Sequence, residues 1–377
     1  MQLTWKGLAL AVSLVASTAA CSKKPDTPKT AEPPVAQNEA TKPSTPAVVY
    51  VSHQDGPLTV YAVGDYTKLG EINVGEGARG VGLSDDGSLL VVAVKSSADL
   101  AIVDTATRQV VKRVPVGKNP EFVRVLGDRA FVAYEPSSEG GPPPKPGSKE
   151  AKAREKAKQD DDDDLPAQVA VIDLKKGEKI KEITAGMETE GIEFSGDGKN
   201  IIVTNEADEN VSVHSIETGE VVKRIDTRQY GIRPRGVKRA PDGKHYAVTL
   251  EYGNKLLKLD KDFNVVDTTP TGEVPYGVTY SRDGKEILVA LARGKVIQVF
   301  DADTLNLKRE MPVGDRCWHF SYTPDDSQLV VACGRSREIR VLNAQTGETL
   351  KTITEGDMPW GVIVSPKSVG TLDMPGK

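Results

Sequence analysis

The sequence predicts an all-β fold, a seven-bladed β-propeller whose ring is closed by the C-terminal strand joining three N-terminal strands. Three observations carry the prediction. A glycine recurs at Gly75, Gly117, Gly186, Gly272, Gly314 and Gly356, with separations of 42, 69, 86, 42 and 42 residues. The 86 is two units of the period and the 69 is one unit with an insertion, so the chain is a repeat array of about 42 residues per unit. Within a unit, short runs rich in β-branched residues ("LLVVAV", "LAIVDT", "VVKRVPVG") alternate with turn signals ("SDDGS", "SGDGK", "APDGK", "SRDGK"). Such runs read as strands, and Asp-Gly supplies the residue that tolerates positive φ in a tight hairpin. No apolar periodicity of 3.6 residues competes with this reading.

The two ends complete the count. "AVVYVSH", "LTVYAV" and "KLGEINVG" after residue 46 make three quarters of a unit, and "PWGVIVSP" at 359–366 makes the missing quarter. Six complete units and this composite give seven blades, and the composite leaves no sheet edge facing an open gap.

The N-terminal residues read differently. Lys6 precedes the apolar segment "GLALAVSLVASTAA", and small residues lead into Cys21, which marks residues 1–20 as a secretory signal peptide. Residues 21–46 are Pro-rich, contain no aromatic residue and have almost nothing to bury, so they are expected to form a disordered tether ahead of the propeller at 47–377. A second surplus, "SSEGGPPPKPGSKEAKAREKAKQDDDDDLP" at about 136–166, falls between the second and third strands of the third blade. It is expected to be mobile, either a solvated loop or a lid or docking arm over the ring face. Its five consecutive Asp lack the spacing and glycine of a dedicated Ca²⁺ loop.

Net charge is −5 and charged residues make up 27% of the chain, which gives no basic footprint for nucleic acid. Past residue 20 no apolar run is long enough to span a bilayer, so membrane attachment would be by a lipid anchor alone. The chain is expected to be a monomer.

The repeat also nominates a site. In a four-stranded blade the innermost strand starts at the central channel, so one position per unit forms a ring around its mouth: Arg79, Glu121, Glu190, Arg235, Tyr276, Trp318 and Trp360. Two guanidiniums, two carboxylates and three aromatic rings suit a small planar or anionic ligand. Two alternatives stand beside that one: Arg and Glu pair across the channel while the aromatics fill space, or the mouth docks a partner protein.

One unit carries Cys317-Trp318-His319 where its sisters carry Pro-x-Gly. Folding the hairpin about "PDDS" sets Cys317 nearly opposite Cys333, and an exported compartment favours a disulfide between them over two buried thiols. His319 is included in the candidate ligand-binding set, lying behind Trp318.

Other signals are set aside. "GEGARG" at 75–80 matches a phosphate-binding pattern but opens a strand, where no helix terminus awaits a phosphate. The repeated Asp of "V-I-D" is expected to cap backbone amides of an outer turn rather than to catalyse. No nucleophile triad, C-x-x-C or zinc spacing is present, so no catalytic or metal residue is nominated.

The unit "G-x-x-P-x-G-V-x-x-S-x-D-G-K…V-x-V-I-D-x-x-T-G" resembles that of bacterial YVTN-type propellers, over about residues 47–366. The succession of Arg, Glu, Glu, Arg and late Trp is similar to the periplasmic propellers associated with PQQ-dependent catabolism. Related propellers include a haem-binding domain of nitrite reductases and sugar-lactone hydrolases, so the resemblance fixes a fold more than an activity. The N-terminus resembles a bacterial lipoprotein signal in which Cys21 is lipidated, although Thr18 stands where Leu is usual. Ordinary cleavage leaving a free Cys21 is the alternative. Ser22, rather than Asp, then implies the outer membrane. The reading at this level is a non-catalytic, lipid-anchored periplasmic binding protein whose mouth takes a small ligand or a partner from a periplasmic redox system. No cofactor is assigned. The alternatives are an enzyme or a haem or quinone carrier, with Glu121, Glu190 and His319 as acid/base or axial groups, and a purely structural envelope scaffold.

Overall fold

A computed structural model describes residues 46–136, 148, 149, 152, 165–354 and 356–368. The signal peptide, Cys21, nearly all of the tether and most of the 136–166 insertion therefore lie outside the described residues.

Among the described residues twenty-eight strands form seven four-stranded antiparallel sheets. The first blade is β28(Pro359–Ser365), β1(Val48–His53), β2(Leu58–Ala62) and β3(Lys68–Ile72). The second runs β4(Ala78–Leu83) to β7(Gln109–Pro115), and the third β8(Val123–Leu126), β9(Arg129–Tyr134), β10(Gln168–Asp173) and β11(Glu178–Thr184). The fourth runs β12(Thr189–Phe194) to β15(Val221–Asp226), and the fifth β16(Pro234–Arg239) to β19(Val265–Pro270). The sixth and seventh run β20(Pro275–Tyr280) to β23(Leu307–Pro312) and β24(Cys317–Tyr322) to β27(Thr349–Thr354). Ring closure is as expected: β28 pairs antiparallel with β1, with Val48 opposite Ser365 and Val51 opposite Val362. The insertion joins β9 to β10, second to third strand of its blade.

Each blade is built the same way because its strands have the same burial. The second and third strands, such as Leu89–Val94 and Asp99–Asp104, are apolar on both faces because neighbouring blades cover both. The outermost strand faces solvent and is largely polar, and in five blades it keeps one buried anchor, as in Val114, Ile183 and Met311. Each fully buried Val, Leu or Ile contributes about 1.5–3 kcal/mol over its exposed state. Seven such interfaces close the ring.

Turn chemistry sets the hairpins. Gly87, Gly198, Gly243 and Gly284 adopt φ between 68° and 73°, and Asp326 takes the same conformation at φ 59°. The "V-I-D" residues are caps, as expected: Asp104 Oδ1 accepts from the Thr107 amide at 2.7 Å, and Asn343 Oδ1 from the Thr346 amide at 2.9 Å.

Candidate functional site

Seven innermost strands begin at one end of the channel; six members of the ring that the repeat nominates lie one place inside a strand start, and Glu121 lies two residues before β8, at the same place in its repeat. All of Arg79, Glu121, Glu190, Arg235, Tyr276, Trp318 and Trp360 line a single cavity of about 240 Å³. Gln54, Arg316, Arg335 and Met358 complete its wall.

The charged members are paired. Arg79 Nη1 donates to Glu121 Oε1 at 2.6 Å and to Asn119 Oδ1 at 3.1 Å. Arg235 Nη1 meets Glu190 at 3.0 Å and Glu206 at 2.5 Å, and its guanidinium lies 4.0 Å over the Tyr276 ring. Arg233 extends the cluster to Glu188 at 3.2 Å, to Glu251 at 3.5 Å and to Glu206. Two guanidiniums thus face four carboxylates away from bulk water. Burial, with the neighbouring carboxylates behind it, pushes Glu206 up to about 8 against the pull of both arginines. Glu190 is likewise raised well above the usual carboxylate range, by burial first.

The aromatic side is a buried cluster of Tyr276, Trp318 and Trp360 with Val274 and Ala292. The Trp318 and Trp360 indoles lie 6.4 Å apart with planes tilted by 39°, and both face the cavity. Gly334 seats Trp318: a Cβ at that position would overlap the indole.

His319 stands where five other blades have glycine, at Gly80, Gly191, Gly236, Gly277 and Gly361. It does not line the mouth cavity. It lies deeper in the channel, with ring centroids 4.3 Å from Trp360 and 5.5 Å from Phe122. Its Nδ1 donates to the Trp360 carbonyl at 2.9 Å, and burial depresses its pKa to about 3, so the ring is neutral. Phe122, at the same register in the third blade, was not singled out from sequence.

Cys317 and Cys333 sit directly opposite in register, Cα atoms 3.8 Å apart, with their sulfurs at bonding distance. The register slips by one at the next pair, His319 opposite Ala332. Among the described residues no group of His, Cys, Asp and Glu is arranged to hold a metal ion.

The mouth residues that sequence reasoning missed all sit at repeat positions. Arg316 and Met358 lie two residues before ring members, the position also held by Gly77, Asn119, Glu188, Arg233 and Val274. Gln54, Glu206 and Glu251 each follow the end of a second strand, and Arg335 comes one residue later in its blade. Following those two registers through the repeat would have found them.

Comparison with known proteins places residues 165–271 under the model of the cytochrome D1 heme domain. No curated protein matches the chain. Among solved structures, a functionally unknown protein from Desulfotomaculum acetoxidans is 16% identical, with TM-score 0.68, covering 86% of this chain and 100% of that one. Hydrazine synthase of Kuenenia stuttgartiensis is 20% identical, with TM-score 0.61, covering 78% and 91%. A candidate 6-phosphogluconolactonase from Bacteroides uniformis is 17% identical, with TM-score 0.66, covering 85% and 99%. These identities show a shared fold.

A haem would need an axial group, and the histidines can be checked one by one. His53 Nε2 is engaged by Thr59, and His214 by Ser212 and the Gly219 carbonyl. His245 pairs with Asp242 at an exposed turn, and His319 is enclosed by Phe122, Tyr276 and Trp360. None lines the mouth, and the thiols of Cys317 and Cys333 are taken up with each other. The residues present do not fit a haem ligated there through imidazole or thiolate, and no step is derived through one.

Proposed function

We propose that this chain is a binding module whose channel mouth holds a small planar ligand, and that it performs no chemistry of its own. The observation that carries this reading is the cavity itself. Arg–Glu pairing alone would plug a channel, and it leaves unexplained why two indoles line an open space of about 240 Å³ beside the charges. A pocket with stacking faces and a few convergent polar groups is what small-molecule recognition requires.

The setting is part of the same proposal. Cys21 is lipidated and the propeller stands in the periplasm on the outer membrane, serving a redox system of the kind suggested by the YVTN-type pattern. The match to a haem domain and the likeness to hydrazine synthase support a redox setting without assigning a cofactor.

Native mass spectrometry of protein purified from its own host tests the reading. The expected result is a retained small molecule that is lost when Trp360 is replaced by Ala. Retention of that molecule by the folded Trp360→Ala protein would place its site elsewhere.

A further inference from the structure

Four guanidiniums line the mouth and only two are neutralised. Arg79 and Arg235 are held by Glu121 and by Glu190 with Glu206. Arg316 and Arg335 make no ion pair and no side-chain hydrogen bond among the described residues. Arg316 is half-buried, and its Nε is fully enclosed with no partner. Its guanidinium carbon lies 5.6 Å over the Trp318 ring. Burial works most against its positive charge and Arg335 and Arg235 add to that, with Tyr276 and Glu251 opposing them in part. A half-buried cation without a counter-ion is costly to keep. An anion bound between the two arginines would offset that cost.

We propose that Arg316 and Arg335 receive the carboxylate of a planar aromatic acid whose ring lies against Trp318 and Trp360. The proposal rests on the ligand-binding reading above and adds the charge, the shape and the residues that read them. Three features of the wall support it. The uncompensated cations sit at the aromatic side of the mouth, so charge and stacking surface act on one molecule. Arginine presents a planar fork that matches a carboxylate with two parallel hydrogen bonds. The carboxylates across the mouth are occupied by Arg79 and Arg235, so they do not draw Arg316 and Arg335 inward. Arg316 also stands on a backbone turned to φ 54°, the left-handed conformation shared by Asn119, Glu188, Arg233 and Val274 at the same repeat position. The Arg316 side chain lines the mouth cavity.

Calorimetric titration with 2-naphthoate, and with 2-naphthalenemethanol as its uncharged isostere, tests the proposal on the full chain. Native protein should bind the acid more tightly than the alcohol. Arg316→Gln should weaken the acid by about tenfold or more, the range for a lost charge-assisted hydrogen bond, and leave the alcohol unchanged. Arg335→Gln should act in the same direction. Arg316→Gln removes no ion pair and relieves an unpaired charge, so its melting temperature should be at or above the native one, which separates lost binding from lost folding. If the acid binds native and Arg316→Gln protein equally, the carboxylate clamp is wrong while the binding site stands. If neither probe binds native protein, the ligand-binding reading fails with it.

Discussion

His319 donates Nδ1–H to the backbone carbonyl of Trp360, 2.9 Å away on the next blade. Three other blades make the corresponding link with a hydroxyl. In the fifth, the Gly236 amide donates to Thr249 Oγ1, which donates to the Tyr276 carbonyl, both at 2.8 Å. Thr204 and Ser52 do the same for Arg235 and Arg79. In the seventh blade the hydroxyl position is Ala332, and the imidazole replaces it. The exchange of glycine for histidine in this repeat is thus an inter-blade latch, made next to a ring residue whose indole lines the mouth.

That relationship predicts a compensating pair. His319→Gly should destabilise by about 3–5 kcal/mol, the range for emptying an aromatic-sized core site. Ala332→Thr alone should cost about 1–3 kcal/mol through overpacking. Together they recreate the Gly236 and Thr249 arrangement, so urea denaturation of the double variant should show a favourable coupling of about 1–2 kcal/mol. Additive losses would remove the latch from the account.

Arg235 is expected to be structural as well as exposed to ligand. Arg235→Gln takes away the cation that pairs with Glu190 and leaves Glu206 and Glu251 to Arg233 alone, and breaking such a buried pair typically costs about 3–5 kcal/mol. Arg235→Lys should recover part of that. A loss below about 1 kcal/mol for Arg235→Gln would mean the carboxylates find other partners.

The same cluster sets a pH dependence. Glu206 is raised to about 8 in the folded state, from an ordinary value near 4.5, so folding takes up a proton between those values. Its contribution is complete below about pH 4.5 and is lost as pH rises towards 8. His53 and His319, lowered to about 4 and 3, act on the other side: their contribution is present above pH 6.5 and is lost as pH falls towards 4. Stability should peak in the weakly acidic to neutral range, and Glu206→Gln should flatten the alkaline limb while leaving the acidic limb in place. Equal alkaline slopes for native and Glu206→Gln protein would show that the carboxylate is ionised throughout.

Cys317 and Cys333 are fully buried, 16 residues apart, and close a hairpin loop beside the mouth. In folded protein Cys317 and Cys333 should resist alkylation, and in denatured protein these two should react only after reduction, as peptide mapping would read apart from Cys21. Cys317→Ala/Cys333→Ala should lower stability by about 3 kcal/mol, the loop-closure estimate for a ring of this length. Two alkylatable thiols in denatured, unreduced protein would show that the bridge does not form.

Much of this was legible before any coordinates because a repeat states the same local physics seven times. The 42-residue rhythm, the Asp-Gly turns and the complementary ends predict the ring, and the ring follows from closure alone. The nominated mouth residues meet because Arg79 and its counterparts share one register. What escaped was carried by neighbouring registers that look like ordinary turns. Glu206 and Glu251 follow strand ends, where a polar residue is unremarkable. Arg316 looks like one more surface cation until Glu121, Glu190 and Glu206 are seen to be engaged by other arginines. His319 could not be read as a latch without knowing that Ala332, opposite it, lacks the hydroxyl that Ser52, Thr204 and Thr249 supply in three other blades.

The central claim is that the channel mouth is an occupied binding site rather than a polar plug. A crystal structure of protein purified from its native host addresses that claim most directly. The account predicts density for a flat molecule in the mouth cavity against the Trp318 and Trp360 indoles, with a charged edge towards Arg316. Ordered water alone in that space, with Arg316 turned out to solvent, would contradict it.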